Sequence, residues 1–430
     1  MMRLTTMLAC TTTLALLAVC GGARADETCM SPYMPKITGQ EDYVYVWTLG
    51  VEGLGDESDK LVTVDVNPKS PSFGKVVATR SVGGRHEAHH GGFTEDRRWL
   101  WLAGIDDSQI YVFDVASNPA NPQLRKVIAH FEQETGLAGP HGFYALPGRM
   151  LVPGLSNAKD RDGRTGLAEY ANDGTYVRTV WMPADAPYGY DARVQPRLNR
   201  MLTSSFTGWK NYMRPLPELM GDKEAMQHFG ATMVVWDFHA RKPLQTLAVP
   251  GAPLEIRWAL GPRHDYAFTA TALTGKLWLI EAQDDGTFKA TAVADIGDPS
   301  KTPLPVDISL SADDRFLFVS TFMDGTARVF DVSDPHHPKL VTERQIGKQV
   351  NMVSESWDGE RVYFTSSLLA NWDKTGADDE QFLKAYHWDG KTLEPLFAID
   401  FTAEKLGRPH QMHFGQKRFY ANQTYASAAP

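Results

Sequence analysis

The stretch "IYVFDVASNPANP" (residues 110–122) runs from strand-forming residues through an acid into a turn of Ser, Asn and Pro. The same order of residue types recurs from residue 61 ("LVTVDVNPKSP"), 167 ("LAEYANDG"), 234 ("VVWDFHARKP"), 277 ("LWLIEAQDDG"), 328 ("RVFDVSDPHHP") and 384 ("KAYHWDGKT"), seven copies in all. Ahead of most copies stand two further strand-like runs, as "HHGGFT" and "RWLWLAG" precede "IYVFDV", so each unit holds about four strands. Four-stranded units repeated radially make an all-β propeller, here with seven blades. The first copy lacks a full set of inner strands before it, and "PHQMHFGQKRFYANQTY" (409–425) offers inner strands with no outer ones after them. The ring is therefore expected to close with strands from both chain ends. Helical patterning is confined to 214–229 and part of 374–384.

The first residues stand apart from the ring. Arg3, the apolar run "MLACTTTLALLAVC" (7–20) and Ala23-Arg24-Ala25 before "DET" have the order of a secretory signal peptide at residues 1–25. Residues 26–430 are then a single propeller domain, exported to the periplasm. Cleavage removes two arginines and no acid, so the mature chain is more acidic than the −9 of the whole sequence. That balance argues against nucleic acid or an anionic membrane as partner. No second apolar run is long enough to span a bilayer. Cys10 and Cys20 leave with the signal, and Cys29 then has no partner for an internal disulfide. Stability must come from a core, which a chain of this length with 43% hydrophobic residues can build.

Two of the 13 histidines are adjacent in "EAHHGGF" (87–93). Counted back from the first apolar residue of each second strand, His90 lies nine before Trp99, His141 nine before Met150 and His410 nine before Phe419. The same slot in another unit holds Asp307, nine before Phe316. These slots begin the innermost strands, which line the central channel, and the three histidine-bearing blades are consecutive around the ring. Side chains from opposite ends of the chain can therefore meet at one mouth. Gly91-Gly92 would permit a backbone bend that turns both His89 and His90 inward, while Pro140 and Pro409 fix the strand entries. Insertions at about 155–166, 206–230 and 367–383 fall between second and third strands, on the same face. They should cover the mouth, with Trp209, Tyr212 and Trp372 closing an apolar pocket.

Clustered imidazoles suit copper or zinc better than calcium or magnesium, which want oxygen ligands. His89, His90, His141 and His410 are the candidate ligands. His86 and His413 lie near the slots as residues that could fix a ligand's tautomer, and Cys29 beside Met30 offers a soft donor. Glu87, Glu255, Asp307 and Asp191 are candidate acids or bases. A lactonase-type hydrolase would instead use Asp307 and Glu255 with calcium, and a non-catalytic propeller that handles metal would share the histidine mouth. No G-x-S-x-G elbow, GxGxxG or P-loop pattern is present.

The runs "TVDVNPKSP", "HHGGF", "IYVFDVASNPANPQLRKVI", "YGYDARVQPRLNRM", "APLEIRW" and "RVYFTSSLLANWDK" closely resemble the selenium-binding protein / methanethiol oxidase family along nearly the whole mature chain. The resemblance implies a copper-dependent periplasmic enzyme that oxidises methanethiol with O₂ and water to formaldehyde, hydrogen sulfide and hydrogen peroxide. It places the family's His-His pair on His89 and His90 and its C-terminal histidine on His410. "GPHGFYAL" offers His141, and "TCMSPYMP" echoes the family's N-terminal cysteine motif at Cys29. A periplasmic metal- or selenium-binding propeller without turnover is the alternative.

Overall fold

The computed structural model describes residues 31–34, 39–373 and 380–417, so residues 1–25 and Cys29 lie outside it. Seven antiparallel sheets follow one another along the chain. Their innermost strands are Arg408–Gly415, Ala88–Phe93, Leu137–Pro140 with Tyr144–Leu146, Ala192–Gln195, Pro253–Trp258, Pro305–Leu310 and Val353–Glu355. All seven copies of the sequence repeat form the third strand from the centre of their blades. Each blade is sandwiched between two others, so most of these strands are buried on both faces, those of the fifth and seventh blades less completely. Lys60–Asp65, for example, is buried along its whole length. Such strands read as unbroken apolar runs rather than as alternation. The outermost strands do alternate, as Lys75–Ser81 does, and carry charge along their free edges.

The first blade closes the ring, with the order Arg408–Gly415, Tyr43–Leu49, Lys60–Asp65, Lys75–Ser81. Among the described residues the C-terminal end thus contributes one strand to this blade and the N-terminal end three. The expectation of several inner strands from the C-terminal end is corrected: the strand paired with 408–415 is Tyr43–Leu49, and Phe419 lies outside the described residues. Val46 pairs with Met412, and both are fully buried. Between blades, Trp47 Nε1 donates to the Ala103 carbonyl at 2.7 Å and Trp258 Nε1 to the Arg193 carbonyl at 3.1 Å. Buried Glu41, just before the first strand, pairs with Arg361 of the seventh blade and accepts from Tyr363 Oη at 2.9 Å.

Helix is sparse. Within 214–229, Leu216–Gly221 is helical and Ala225–His228 is a 3-10 turn, while the described end of 374–384 enters the strand Phe382–Trp388. Short helices at Phe131–Thr135, Trp209–Tyr212 and Ala370–Asp373 carried no long amphipathic signal. No helix among the described residues is long and apolar enough to cross a membrane.

Removing the Met412 side chain leaves a cavity in the closing blade, so Met412→Ala should cost about 2–5 kcal/mol in denaturant unfolding. Leu396→Ala, on an outer strand and 42% exposed, should stay within about 0.5 kcal/mol. Burial, with Asp313 and Asp358 nearby, pushes the Glu355 carboxyl up to about 8. The folded chain holds this proton more tightly than the unfolded chain, so the associated stability is full at low pH and is lost as pH rises toward about 8. Glu355→Gln should therefore stabilise the fold progressively more as pH rises from about 5 to 8, as read from unfolding midpoints.

Candidate metal centre

The histidine mouth is made by how the innermost strands begin. Glu87, Ala252, Leu304 and Gly407 all have left-handed φ (58°, 59°, 58° and 112°), and each directly precedes the innermost strand of its blade. For the three non-glycine residues this is strain of about 1–3 kcal/mol each, which surrounding packing must hold in place. A one-residue excess follows. Ala88 pairs with Gly104 and Gly91 with Leu102, so His89 and His90 together oppose Ala103. His410 and Gln411 likewise oppose Trp47, and Leu254 and Glu255 oppose Ala270. These are β-bulges, which re-aim side chains at strand ends.

The hydrogen-bond register corrects the nine-residue count by one position. His89, His141 and His410 are the equivalent residues, because each directly follows the residue paired with the second strand, namely Ala88, Pro140 and Pro409. His90 stands one place further on. The count missed this because it assumed turns of equal length. Gly91 and Gly92 also act differently from expectation. Neither has a left-handed φ; instead a Cβ on Gly92 would meet the Phe143 carbonyl oxygen at 2.1 Å, and one on Gly91 would meet Leu102 at 2.5 Å. Gly92 is needed for close approach between the second and third blades, and Gly91 for packing against Leu102 and Trp101 of its own blade.

Four imidazoles meet at this mouth. His89 packs on His410 with ring centroids 3.9 Å apart, and His90 packs on His141 at 4.1 Å. Across these pairs, His89–His90 is 4.8 Å, His89–His141 5.0 Å and His90–His410 5.2 Å. Successive residues of the second blade thus reach toward its two neighbours, the first and third blades. All four rings are buried. Burial holds His141 down at about 4 and His410 at about 3. Burial first, and then the neighbouring imidazoles, holds His89 and His90 well below the ordinary value. The rings are therefore neutral at pH 7, with lone pairs to offer.

Nδ1 of His89, both ring nitrogens of His141 and Nε2 of His410 are buried without a hydrogen-bond partner. Ligand atoms of His89, His90 and His141 lie within 4.8 Å of one another. Neutral buried imidazoles with orphaned nitrogens fit a metal ion that takes nitrogen ligands.

The opposite half of the mouth is ionic. Arg193 bonds Asp191 at 3.0 Å and Glu255 at 3.2 Å, and Arg257 bonds Glu255 and Asp307 at 2.9 Å each. Burial raises Asp307 to about 7 and Asp191 to about 6. Burial works in the same direction on Glu255, but Arg257 and Arg193 outweigh it and leave this carboxyl below its usual range. Glu255 Oε2 takes both arginines, while Oε1 accepts no hydrogen bond and lies 3.8 Å from His90 Nδ1. Asp307 also accepts from the amides of Ile308 and Val353.

Sequence reasoning passed over Arg193, Arg257, Tyr190 and Asn351. A readable signal for the arginines was present, since "DAR" (191–193) and "EIR" (255–257) place acid and arginine two apart, on one face of adjacent innermost strands. Tyr190 packs on His141 at 4.1 Å, and Asn351 Nδ2 lies 3.2 Å from His410 Nδ1.

The remaining predicted residues sit around this centre. Glu87, buried and raised by that burial to about 8, accepts from the Ala370 amide at 2.8 Å. His86 bonds Asp107 at 2.6 Å and packs on Tyr111, on the flank away from the four rings. His413 packs against Phe93, further along the channel. Cys29 lies outside the described residues. Tyr33, a few places later, packs against Phe238 of the fourth blade. His89 opens on a small, tightly packed apolar cavity. Leu155, Phe206, Tyr212, Phe229, Leu368, Leu369 and Trp372 contribute walls from the inserts. The inserts are tied together by Trp209 N to Ser156 Oγ at 2.7 Å and Asn371 Nδ2 to the Met213 carbonyl at 2.8 Å.

A family model described as 56kDa selenium binding protein (SBP56) matches residues 23–417. The chain belongs to the 56 kDa selenium-binding protein family. Within it, methanethiol oxidase of Ruegeria pomeroyi is 57% identical over 416 residues, covering 93% of this chain and 95% of that one. Methanethiol oxidase of a Hyphomicrobium species is 57% identical over 404 residues, 93% of each chain. The human methanethiol oxidase is 29% identical over 434 residues, 86% of this chain and 91% of that one. A hypothetical selenium-binding protein from Sulfolobus tokodaii superimposes with a TM-score of 0.80 at 24% identity, over 90% and 97% of the chains. The periplasmic gluconolactonase of Pseudomonas aeruginosa reaches 0.62 at 14% identity, over 87% and 99%, and shares the fold.

In this member of the selenium-binding family the ionic half of the mouth should be costly to break. Arg257→Ala leaves Asp307 and Glu255 buried short of a partner and should destabilise by about 3–5 kcal/mol. Urea unfolding of wild type and variant side by side measures it.

Proposed function

We propose that this chain is a periplasmic methanethiol oxidase, reached by cleavage of the signal peptide at residues 1–25, in which His89, His90, His141 and His410 hold copper. The proposed reaction takes methanethiol, O₂ and water to formaldehyde, hydrogen sulfide and hydrogen peroxide. The carbon gives up two electrons to O₂, the C–S bond breaks, and water supplies the aldehyde oxygen. The observation that carries this reading is the set of neutral, buried imidazoles with orphaned nitrogens beside a cavity whose other walls are apolar. Two relatives covering most of the chain at 57% identity bear the name methanethiol oxidase.

Copper held there would favour the thiolate over the thiol and provide a one-electron path toward O₂. The protein's own groups do the rest. The apolar walls take the methyl group and keep water from crowding the sulfur. Glu255 is the favoured proton acceptor, since Oε1 faces His90 while Oε2 stays fixed by two arginines. Asp307, held by Arg257 and two amides, would position that arginine. Glu87 would hold residues 367–373 at the mouth through the Ala370 amide. A lactonase reading would need Asp307 and Glu255 to be available to calcium, yet arginines occupy both.

Copper-loaded protein given methanethiol in air should release peroxide and sulfide in equal amounts, and a chelator that strips copper should stop both. His90→Ala and His410→Ala should lose copper and turnover while keeping the wild-type melting transition. Glu255→Gln should keep copper and lose about 10²–10⁴ in kcat. Copper uptake without peroxide or sulfide would leave the non-catalytic metal-binding propeller instead.

A further inference from the structure

The positions equivalent to the three histidines continue around the ring. On the fifth and sixth blades the residue directly after the paired strand entry, Pro253 or Pro305, is apolar: Leu254 and Val306. Both are 4% exposed, and both line the cavity that His89 opens on. Phe206 lies next to them. Its ring packs on Tyr190 at 5.5 Å, Phe229 at 5.5 Å and Trp372 at 6.1 Å, so it joins the mouth to the inserts above. Unlike the other insert aromatics, Phe206 stands on the rigid frame. It follows the strand Arg200–Thr203 closely, and its neighbour Ser205 donates from its amide to the Pro253 carbonyl at 3.1 Å and from Oγ to the Thr232 carbonyl at 2.6 Å.

We propose that Leu254, Val306 and Phe206 form the alkyl-binding wall of this site and set the longest unbranched thiol it accepts. This rests on the oxidase reading for its substrate class. The wall is assigned by three features: repeat-equivalent placement opposite the imidazoles, burial, and anchorage on innermost strands and frame rather than on the lid. A sulfur directed at the imidazoles sends its carbon chain toward this wall. Rigid apolar walls discriminate through the packing that each methylene adds or the clash that it causes, about 10- to 200-fold apiece.

The test is binding of a straight-chain series from methanethiol to butanethiol to the copper-loaded protein under argon, where no O₂ is present for turnover. Wild type should bind the shortest members best and weaken at least tenfold at one chain length. Phe206→Ala and Leu254→Ala, made separately so that one misfolding variant does not remove the test, should move that break to a longer chain. A break left in place in both folded variants, or no thiol binding by wild type, would overturn the proposal. Aerobic methanethiol turnover measured in parallel judges the oxidase reading separately: shifted binding without peroxide release keeps the wall and rejects the oxidase.

Discussion

Imidazoles that meet ring to ring inside a protein must be neutral, and the rest of the mouth is arranged around that constraint. Two protonated rings with centroids 3.9 Å apart, as His89 and His410 are, would repel strongly in a dry site. Burial removes the water that would otherwise favour charging. Carboxylates left bare nearby would draw protons back onto the rings. Asp191, Glu255 and Asp307 occupy the opposite half of the same mouth, and Arg193 and Arg257 are placed to compensate them. The ionic network thus protects the lone pairs as well as joining the fourth, fifth and sixth blades.

The propeller supplies the geometry with little added machinery. Successive residues on a strand face opposite ways, and in a ring of blades those two directions are the two neighbouring blades. His89 and His90 use both, meeting His410 on one side and His141 on the other, and the bulge opposite Ala103 draws them back toward each other. One blade therefore contributes two rings where its neighbours contribute one each. The strained entries at Glu87, Ala252 and Leu304 persist because packed neighbours over-determine them. All three stand at the functional end of their strands.

Much of this was legible in the sequence. The seven acid-turn copies mark the third strands, and the complementary chain ends indicate closure, because both are local patterns repeated many times. The histidines could be brought to one mouth by counting, since the repeat fixes where each innermost strand begins. The count slipped by one at His90 because bulges and unequal turns leave no compositional trace. It placed His410 correctly by way of Phe419, although the true strand partner is Tyr43–Leu49 from the other end of the chain. Tyr190, Asn351 and the paired arginines went unread because their partners are on other blades, and only closure of the ring brings them together. Gly91 and Gly92 were recognised as special for the wrong reason: what requires Gly92 is a close approach by Phe143, and what requires Gly91 is the closeness of Leu102 and Trp101, contacts that no local pattern could reveal.

If buried imidazoles from three consecutive blades hold a copper ion that meets the thiol sulfur, the metal's own neighbours must report it. X-ray absorption at the copper edge, on protein held under argon before and after methanethiol is added, reads those neighbours. Scattering from several imidazoles before addition, with a sulfur neighbour gained afterwards, is the predicted result. A shell of oxygen ligands alone, or imidazole scattering that methanethiol leaves unchanged, would contradict it.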